Sequence, residues 1–221
     1  MMNLFSIFDP STSSSLSLNW LSILIFLFML PYQFWFLPSR ITYLWNLIIS
    51  YIFNEFKILI SYSFSNIIIF TSLIMLIFFN NFLGLFPYIF TASSHMSFCL
   101  SMSLSLWMSF ILYSIINYLN NLLTHLTPSG TPFMLMPFMV IIESISLIIR
   151  PLTLSIRLTA NMIAGHLLLT LLGSSGLNIS NSLMLSILIF SQILLYILEI
   201  SVSMIQAYVF SILSTLYSSE T

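Results

Sequence analysis

The sequence has very little charge. Only 4% of its 221 residues are Asp, Glu, Lys or Arg, whereas 59% are hydrophobic. A soluble domain carries about 25% charged residues. Four basic and five acidic side chains cannot cover the surface of a water-soluble globule of this length. The composition therefore excludes a soluble globular protein and predicts an integral membrane protein whose main solvent is lipid.

The small net charge and the single cysteine exclude further kinds of partner and site. The formal net charge is -1 and no basic stripe is present, so we do not expect a nucleic-acid partner. Cys99 is the single cysteine, which rules out an internal disulfide, and nothing near it has the spacing of a metal site. We expect Cys99 to be a small buried apolar residue, and we expect no metal and no cofactor.

The N-terminal segment, residues 1–15, also lacks targeting features. It has no basic stretch ahead of an apolar run and none of the arginines of a transit peptide. The 21 Phe and 13 Met residues are typical of a chain made inside the organelle that it serves. We therefore expect membrane insertion without a cleaved import signal.

Apolar runs long enough to cross a membrane follow this segment. A spanning helix needs roughly 20 apolar residues for a hydrocarbon core of about 30 Å. We predict one span over residues 16–37 and an antiparallel pair of spans over residues 67–90 and 96–123. The prolines and glycine of residues 125–132 then end the helical pattern.

Residues 40–60 differ from these spans because polar and charged side chains interrupt them. The interrupting residues are Arg40, Asn46, Asn54, Glu55 and Lys57. This pattern predicts an amphipathic segment that lies on the membrane surface. Its two basic residues favour the side of the membrane on which the chain is made.

The C-terminal part contains two unusually long apolar stretches, residues 133–172 and 181–217, with a predicted hairpin turn at 173–180. Either stretch would form a helix roughly 60 Å long, about twice the hydrocarbon thickness. Each is either two short spans or one strongly tilted helix. We favour two long tilted helices, because no turn signal divides them, although Pro137 and Pro151 can kink the first. The predicted fold is a single all-α membrane domain of about five to six helices.

Five ionisable residues lie within these two long stretches, where lipid would surround an ordinary helix. They are Glu143, Arg150, Arg157, His166 and Glu199. A charge near the centre of a bilayer costs at least ~2.5–3.5 kcal/mol. Either these groups pair with one another or reach an interface, or they line a functional path. Five of them in two adjacent segments favour the path.

Their spacing places polar residues on common helix faces. Glu143, Arg150 and Arg157 follow at intervals of seven residues and drift by only about 20° per step around a helix. Asn161 extends this face by one turn, whereas His166, nine residues after Arg157, lies on the opposite side.

The last stretch carries a second polar stripe. Gln192, Glu199 and Gln206 also repeat every seven residues, and Ser203 lies between the last two. Two adjacent helices with polar stripes are expected where they line a water-filled path.

Titratable and permanently charged groups suit different roles in such a path. Glu143, His166 and Glu199 can pass protons through hydrogen-bonded water. Arg157 stays charged and cannot relay a proton. It is better interpreted as a fixed positive charge that repels a free proton and attracts a carboxylate on a partner. The pattern therefore predicts a gated proton path.

Residues 155–166, SIRLTANMIAGH, resemble the signature R-L-x-x-N-x-x-A-G-H of the a-subunit family of F-type ATP synthases. The arginine lies fourteen residues after Glu143, which is the spacing in that family. Residues 199–210, EISVSMIQAYVF, resemble the family's last helix. The opening MMNLFSIFDPS and the segment THLTPSGTP resemble mitochondrial members, so the likeness covers essentially the whole chain.

The resemblance implies a role for each matching residue. Arg157 matches the arginine that faces the proton-carrying carboxylate of the rotor ring. Asn161 and Gln206 match polar neighbours of that site. His166 and Glu199 match the pair in the half-channel on the intermembrane side.

Glu143 matches a carboxylate near the matrix-side half-channel, and Ser203, Gln192 and Arg150 are secondary candidates. The resemblance implies a proton-translocating stator subunit of the Fo sector, multi-pass in the mitochondrial inner membrane. Its two half-channels load and unload the carboxylates of the c-ring and couple proton flow to rotary ATP synthesis. Implied partners are the c-ring, peripheral-stalk subunit b, other Fo subunits, the lipid bilayer and protons. Because the chain has no G-x-x-x-x-G-K-[ST] loop, we expect it to be no enzyme by itself.

Other protein classes are alternatives. A secondary transporter is disfavoured because the chain shows no internal repeat. A non-conducting scaffold subunit of a respiratory complex would leave the charges merely paired. An antiporter-like subunit would carry lysines within its spans, but the single lysine, Lys57, lies in the surface segment.

Several polar residues are left open by the sequence. His95 and His125 fall in predicted loops, which favours solvated or capping roles over proton transfer. Asn80 and Asn81 either line a path for protons or bond to neighbouring helices. Arg150 stands beside Pro151, so a structural role at the carbonyls freed by that proline is favoured.

Overall fold

The computed structural model describes residues 4–13, 15–60, 64–127, 132–176 and 181–220, and all regular structure within these ranges is helical. The α-helices described are α1 (Ile25–Met29), α2 (Arg40–Leu59), α3 (Phe64–Gly84), α4 (Met96–Asn117), α5 (Leu119–His125), α6 (Met136–Gly176) and α7 (Ser182–Glu220). Short 3-10 helices cover Leu4–Phe8, Leu18–Leu24, Ala92–Ser94 and Phe133–Leu135. The all-α fold class is confirmed.

Four of the described helices, α3, α4, α6 and α7, are long and apolar enough to cross a membrane. The helix predicted over residues 16–37 is shorter than predicted. The 3-10 helix Leu18–Leu24 has seven residues and continues into the five residues of α1, which is fewer than the roughly 20 that a span needs. Leu30 is extended, with φ -69° and ψ 126°, because a following proline, here Pro31, disfavours the helical conformation.

Helix α2 occupies the segment predicted to be amphipathic. It begins after Ser39, whose side-chain oxygen accepts a hydrogen bond from the backbone N–H of Thr42 at 3.3 Å. Such a cap satisfies a backbone donor that has no partner within the helix. Phe56 is buried, α2 packs against α3 and α7, and Lys57 is exposed. The location of α2 at a membrane surface stays a prediction.

Each of the four long helices packs mainly along one other long helix. Helix α3 packs mainly along α7, α4 packs mainly along α6, and α6 and α7 pack against each other. The consecutive helices α3 and α4 therefore have different main partners, although the rings of Phe70 and Phe110 meet at 6.0 Å. The stretch predicted over 96–123 is divided at Tyr118, which has φ -136° and ψ 46°.

The two long C-terminal stretches are each one continuous helix. Helix α6 has 41 residues with Pro151 inside it, and α7 has 39 residues. The alternative of two short spans in each stretch is therefore excluded. Helix α6 continues to Gly176, four residues into the predicted turn. Residues 177–180 of that turn, and residues 128–131 of the predicted break, lie outside the described residues.

Small hydroxyl residues let α7 pack closely. Ser203, Ser211 and Thr215 are fully buried, and small side chains allow helix backbones to approach in an apolar environment. Their hydroxyls donate to carbonyls one turn earlier in α7, at 2.7 to 2.8 Å. These three buried hydroxyls are thus satisfied within the helix itself.

Candidate functional site

Helices α6 and α7 are antiparallel in a defined register. A Cβ atom built on Gly176 would lie 3.7 Å from Cδ2 of Leu188. Eleven residues earlier in α6, Gly165 touches Glu199, which is eleven residues later in α7. The contacts move eleven residues back along α6 and eleven residues forward along α7, so the two helices are antiparallel. The same register can be extended to other residues of the hairpin.

Gly165 allows the carboxylate of Glu199 to lie against the backbone of α6. A Cβ atom on Gly165 would lie 2.9 Å from Cδ of Glu199 and would also collide with its Oε1. Only glycine leaves this space free. Glu199 is 8% exposed, and neither of its carboxylate oxygens has a hydrogen-bond partner among the described residues. A buried carboxylate without a protein partner is costly and is typical of a group that exchanges protons with water.

His166 is the next residue of α6 after Gly165. Its side chain is half-buried, and its Nε2 is buried without a hydrogen-bond partner among the described residues. The imidazole meets the ring of Phe8 edge-on, with centroids 6.3 Å apart and planes at 86°. The structure therefore places His166 beside the Gly165–Glu199 contact, with an aromatic ring on one side.

Arg157 lies on an open face of the hairpin. The register pairs Gly165 with Glu199. Arg157 is eight residues before Gly165 in α6, and Ala207 is eight residues after Glu199 in α7. The register therefore places Arg157 level with Ala207, next to Gln206. Arg157 is exposed and forms no ion pair among the described residues. Its guanidinium is therefore accessible from outside the α6–α7 hairpin.

Three further members of the two stripes are half-buried. These are Asn161 on α6 and Gln192 and Gln206 on α7. Nε2 of Gln192 would lie 3.9 Å from a Cβ atom on Gly173, so this amide faces α6 near the end of the hairpin. Ser203 is fully buried, and its hydroxyl donates to the carbonyl of Ile200 at 2.7 Å.

Glu143 and Arg150 form an ion pair on α6. Nη2 of Arg150 lies 3.8 Å from Oε1 of Glu143, on the helix face that the interval of seven residues predicts them to share. The guanidinium carbon also lies 4.9 Å from the ring centre of Tyr217 on α7. Arg150 thus links the two long helices, in addition to any role beside Pro151. Both charged side chains are partly exposed, at 27% and 37%, so the pair contributes only about 0–1 kcal/mol to stability.

A second group of buried polar atoms lies near the loop between α3 and α4. Asn80, Asn81, Ser93 and His95 each have a buried side-chain nitrogen or oxygen without a partner among the described residues. Asn81 is 0% exposed. The sequence left the two asparagines open, and it gave no signal for Ser93, which no pattern distinguishes from the other serines.

The two histidines that the sequence left open have different surroundings. His95 precedes α4 but makes no side-chain capping bond. Its ring instead stacks on Phe90 at 5.1 Å and lies 5.2 Å from the ring of Trp20. His125 is exposed in the last turn of α5, so a solvated position agrees with its surroundings.

Known proteins are similar over the full chain. Residues 14–219 match the protein-family model described as ATP synthase A chain. The chain is 58% identical over 224 residues to ATP synthase subunit a of Locusta migratoria and 56% identical over 223 residues to that of Anopheles gambiae. It is 56% identical over 222 residues to the Drosophila yakuba protein. Each comparison covers 100% of this chain and 99% of the relative. The chain therefore belongs to the ATP synthase A chain family.

Proposed function

We propose that this chain is the stator subunit of the Fo sector that provides two offset half-channels to a rotating c-ring. The chain is a multi-pass protein of the mitochondrial inner membrane with a part in proton transport and ATP synthesis. The half-channels, the loading of the ring and the role of each residue are the proposed part.

One observation carries the proposal. The buried carboxylate of Glu199 has no partner among the described residues and lies against Gly165, the residue before His166, whereas Arg157 is exposed and forms no ion pair there. Gly165 and His166 lie eight and nine residues after Arg157 along α6, or about 12–14 Å at a rise of 1.5 Å per residue. A proton-exchanging pair and a fixed positive charge at this separation suit a path that is interrupted at the arginine.

The first half-channel loads the rotor. A proton from the intermembrane side passes by way of His166 and Glu199 to a carboxylate on the c-ring, and the carboxylate becomes neutral. A neutral acid costs far less to move into lipid than a carboxylate ion. Loading therefore permits the ring to turn away from the stator.

The second half-channel unloads the rotor. The positive charge of Arg157 favours the ionised form of the arriving carboxylate, which releases its proton past Glu143 toward the matrix. Asn161 and Gln206 offer hydrogen bonds beside this encounter, and Arg157 blocks a direct leak because it cannot take part in proton relay. Each charge that crosses the membrane supplies about 2.3 kcal/mol per 100 mV.

The partners follow from this role. The c-ring faces Arg157, while peripheral-stalk subunit b and other Fo subunits hold the chain against the torque. Gln192, Ser203 and Arg150 are secondary polar groups along the helices. Nucleotide chemistry belongs to other subunits, since this chain has no phosphate-binding loop.

The proposal is tested by Arg157→Ala in the assembled complex in membrane vesicles. We expect ATP-driven proton pumping to fall by ~100-fold or more, the size of effect produced by loss of a positioned charge. Passive proton flux should rise, because the gate is removed. Arg40→Ala is the matched control, since Arg40 is an exposed arginine at the start of α2. Coupled pumping near the original rate in assembled Arg157→Ala complexes would refute the proposal.

A further inference from the structure

We propose that the N-terminal 3-10 helix Leu4–Phe8 is part of the proton path, in which Phe8 positions the imidazole of His166. The inference rests on the proposed function of His166 and adds a positioning residue from the opposite end of the chain. It starts from the contact between the Phe8 and His166 rings.

The contact has the geometry that aromatic rings prefer. The two centroids are 6.3 Å apart and the planes are nearly perpendicular, at 86°. Edge-to-face pairs are favoured because the positive edge of one ring meets the negative face of the other. Phe8 is half-buried, whereas Phe5 in the same 3-10 helix is 66% exposed. The turn therefore directs one of its two phenylalanines onto α6.

The orientation of His166 matters for proton relay. An imidazole passes a proton by taking it on one nitrogen and releasing it from the other, so both nitrogens must face the right neighbours. Nε2 of His166 has no hydrogen-bond partner among the described residues. The ring of Phe8 is a described contact that restricts rotation of the imidazole, because a flip would have to displace the aromatic ring.

Hydrogen bonds fix the chain directly after Phe8. The carboxylate of Asp9 accepts from the N–H and the hydroxyl of Ser11, at 3.0 and 2.7 Å. The side-chain amide of Asn19 donates to the carbonyl of Asp9 at 3.1 Å. The Asn19 bond ties the turn that carries Phe8 to the 3-10 helix Leu18–Leu24, so Phe8 is not on a free end.

That second 3-10 helix is in turn attached to the loop between α3 and α4. The hydroxyl of Ser22 donates to the carbonyl of Phe90 at 3.0 Å. Trp20 packs against the rings of Phe90 and His95, at 5.4 and 5.2 Å. The N-terminal segment therefore contacts both α6 at His166 and the loop that carries the second group of unpartnered polar atoms.

The test compares substitutions of the two phenylalanines in the assembled complex. ATP-driven pumping and passive proton conductance are measured in vesicles, with the amount of assembled complex as reference. We expect Phe8→Ala to lower both fluxes by about 3- to 10-fold, the factor that corresponds to loss of an edge-to-face contact. Phe8→Tyr should restore them, and Phe5→Ala should leave them unchanged. Equal fluxes in Phe8→Ala and Phe5→Ala complexes overturn the proposal.

A second variant covers the case in which Phe8→Ala fails to assemble. Phe8→Leu keeps an apolar side chain of similar size but has no ring. A loss of flux in assembled Phe8→Leu complexes supports the positioning role, and normal flux overturns it.

His166→Gln in the same vesicles separates this inference from the proposed function. If His166→Gln lowers proton flux and Phe8→Ala does not, the function of His166 stands and the positioning role of Phe8 fails. If His166→Gln leaves the flux unchanged, the assignment of His166 fails, and the inference fails with it.

Discussion

At the scale of single residues, the contact between Gly165 and Glu199 shows how a missing side chain makes room for a functional one. The carboxylate occupies the space that a Cβ atom on Gly165 would fill. Any larger residue must displace either the carboxylate or the backbone of α6. The glycine thus sets where Glu199 stands relative to His166.

We predict that Gly165→Ala lowers proton flux and destabilises the assembled subunit by about 1–3 kcal/mol, the usual cost of overpacking a close contact. Gly173→Ala is the control on the same helix, because its Cβ atom would lie an ordinary 3.9 Å from Gln192. Vesicle pumping and thermal unfolding of the complex measure both effects. Indistinguishable behaviour of the two variants would show that the Gly165–Glu199 contact does not constrain the carboxylate.

Residue positions within one helix could be predicted better than positions across helices. The interval of seven residues correctly placed Glu143 near Arg150, because helical periodicity alone decides it. The neighbours of Glu199 could not be derived in this way. They depend on the register between α6 and α7, which is set by packing around Gly165 and not by the period of either helix.

At the scale of helices, α2 is joined to α7 by a shared carboxylate. The hydroxyl of Tyr208 on α7 donates to Oε2 of Glu55 on α2 at 3.1 Å. Tyr51, one turn earlier in α2, also hydrogen-bonds to Glu55, and this bond together with the negative charge raises the pKa of Tyr51. Tyr208 follows Ala207, which the register places level with Arg157. The hydrogen bond between Tyr208 and Glu55 therefore fixes α2 to the part of α7 that lies level with Arg157.

We predict that Tyr208→Phe loosens α2 without preventing assembly. Loss of one partly exposed hydrogen bond should speed amide exchange in α2 by about two- to fivefold. Hydrogen–deuterium exchange of the intact complex measures this, with Tyr196→Phe on the same helix as control. Unchanged exchange in α2 would mean that apolar packing alone fixes it against α7.

Helix ends were predictable only where a local rule governs them. The end of α1 follows from Pro31, which lies inside an apolar run that extends to residue 37. The division between α4 and α5 at Tyr118 has no proline or glycine to mark it. Helix α6 continues through Pro151 although a proline inside a helix removes one backbone hydrogen bond.

At the scale of the whole molecule, the fold is organised by pairs that are distant in sequence. Helix α7 packs along α3, and α6 packs along α4. The membrane class, the four long apolar helices and the family likeness could be predicted from composition, apolar length and motif, whereas the further span predicted over residues 16–37 was wrong. These pairings could not be predicted, because apolar helices of similar composition offer many faces that pack about equally well.

We predict that paired cysteines report the α6–α7 register in the membrane. In a Cys99→Ser background, Gly176→Cys with Leu188→Cys should cross-link through a short bifunctional thiol reagent, because these positions are in contact. Gly176→Cys with Met204→Cys is the control, since Met204 lies sixteen residues further along α7, or about 24 Å away. Gel mobility of the subunit distinguishes the products. Equal cross-linking of both pairs would contradict the antiparallel register.

The pairing of α3 with α7 also has a consequence for biosynthesis. Helix α3 ends at Gly84, and α7 begins at Ser182, almost a hundred residues later. At a synthesis rate of about 5–20 residues per second, the growing chain leaves α3 without its main partner for roughly 5–20 s. During that time the face of α3 that packs along α7 in the finished fold meets lipid or the insertion machinery. The most buried of the four described spans therefore gains its main partner only when α7 is made.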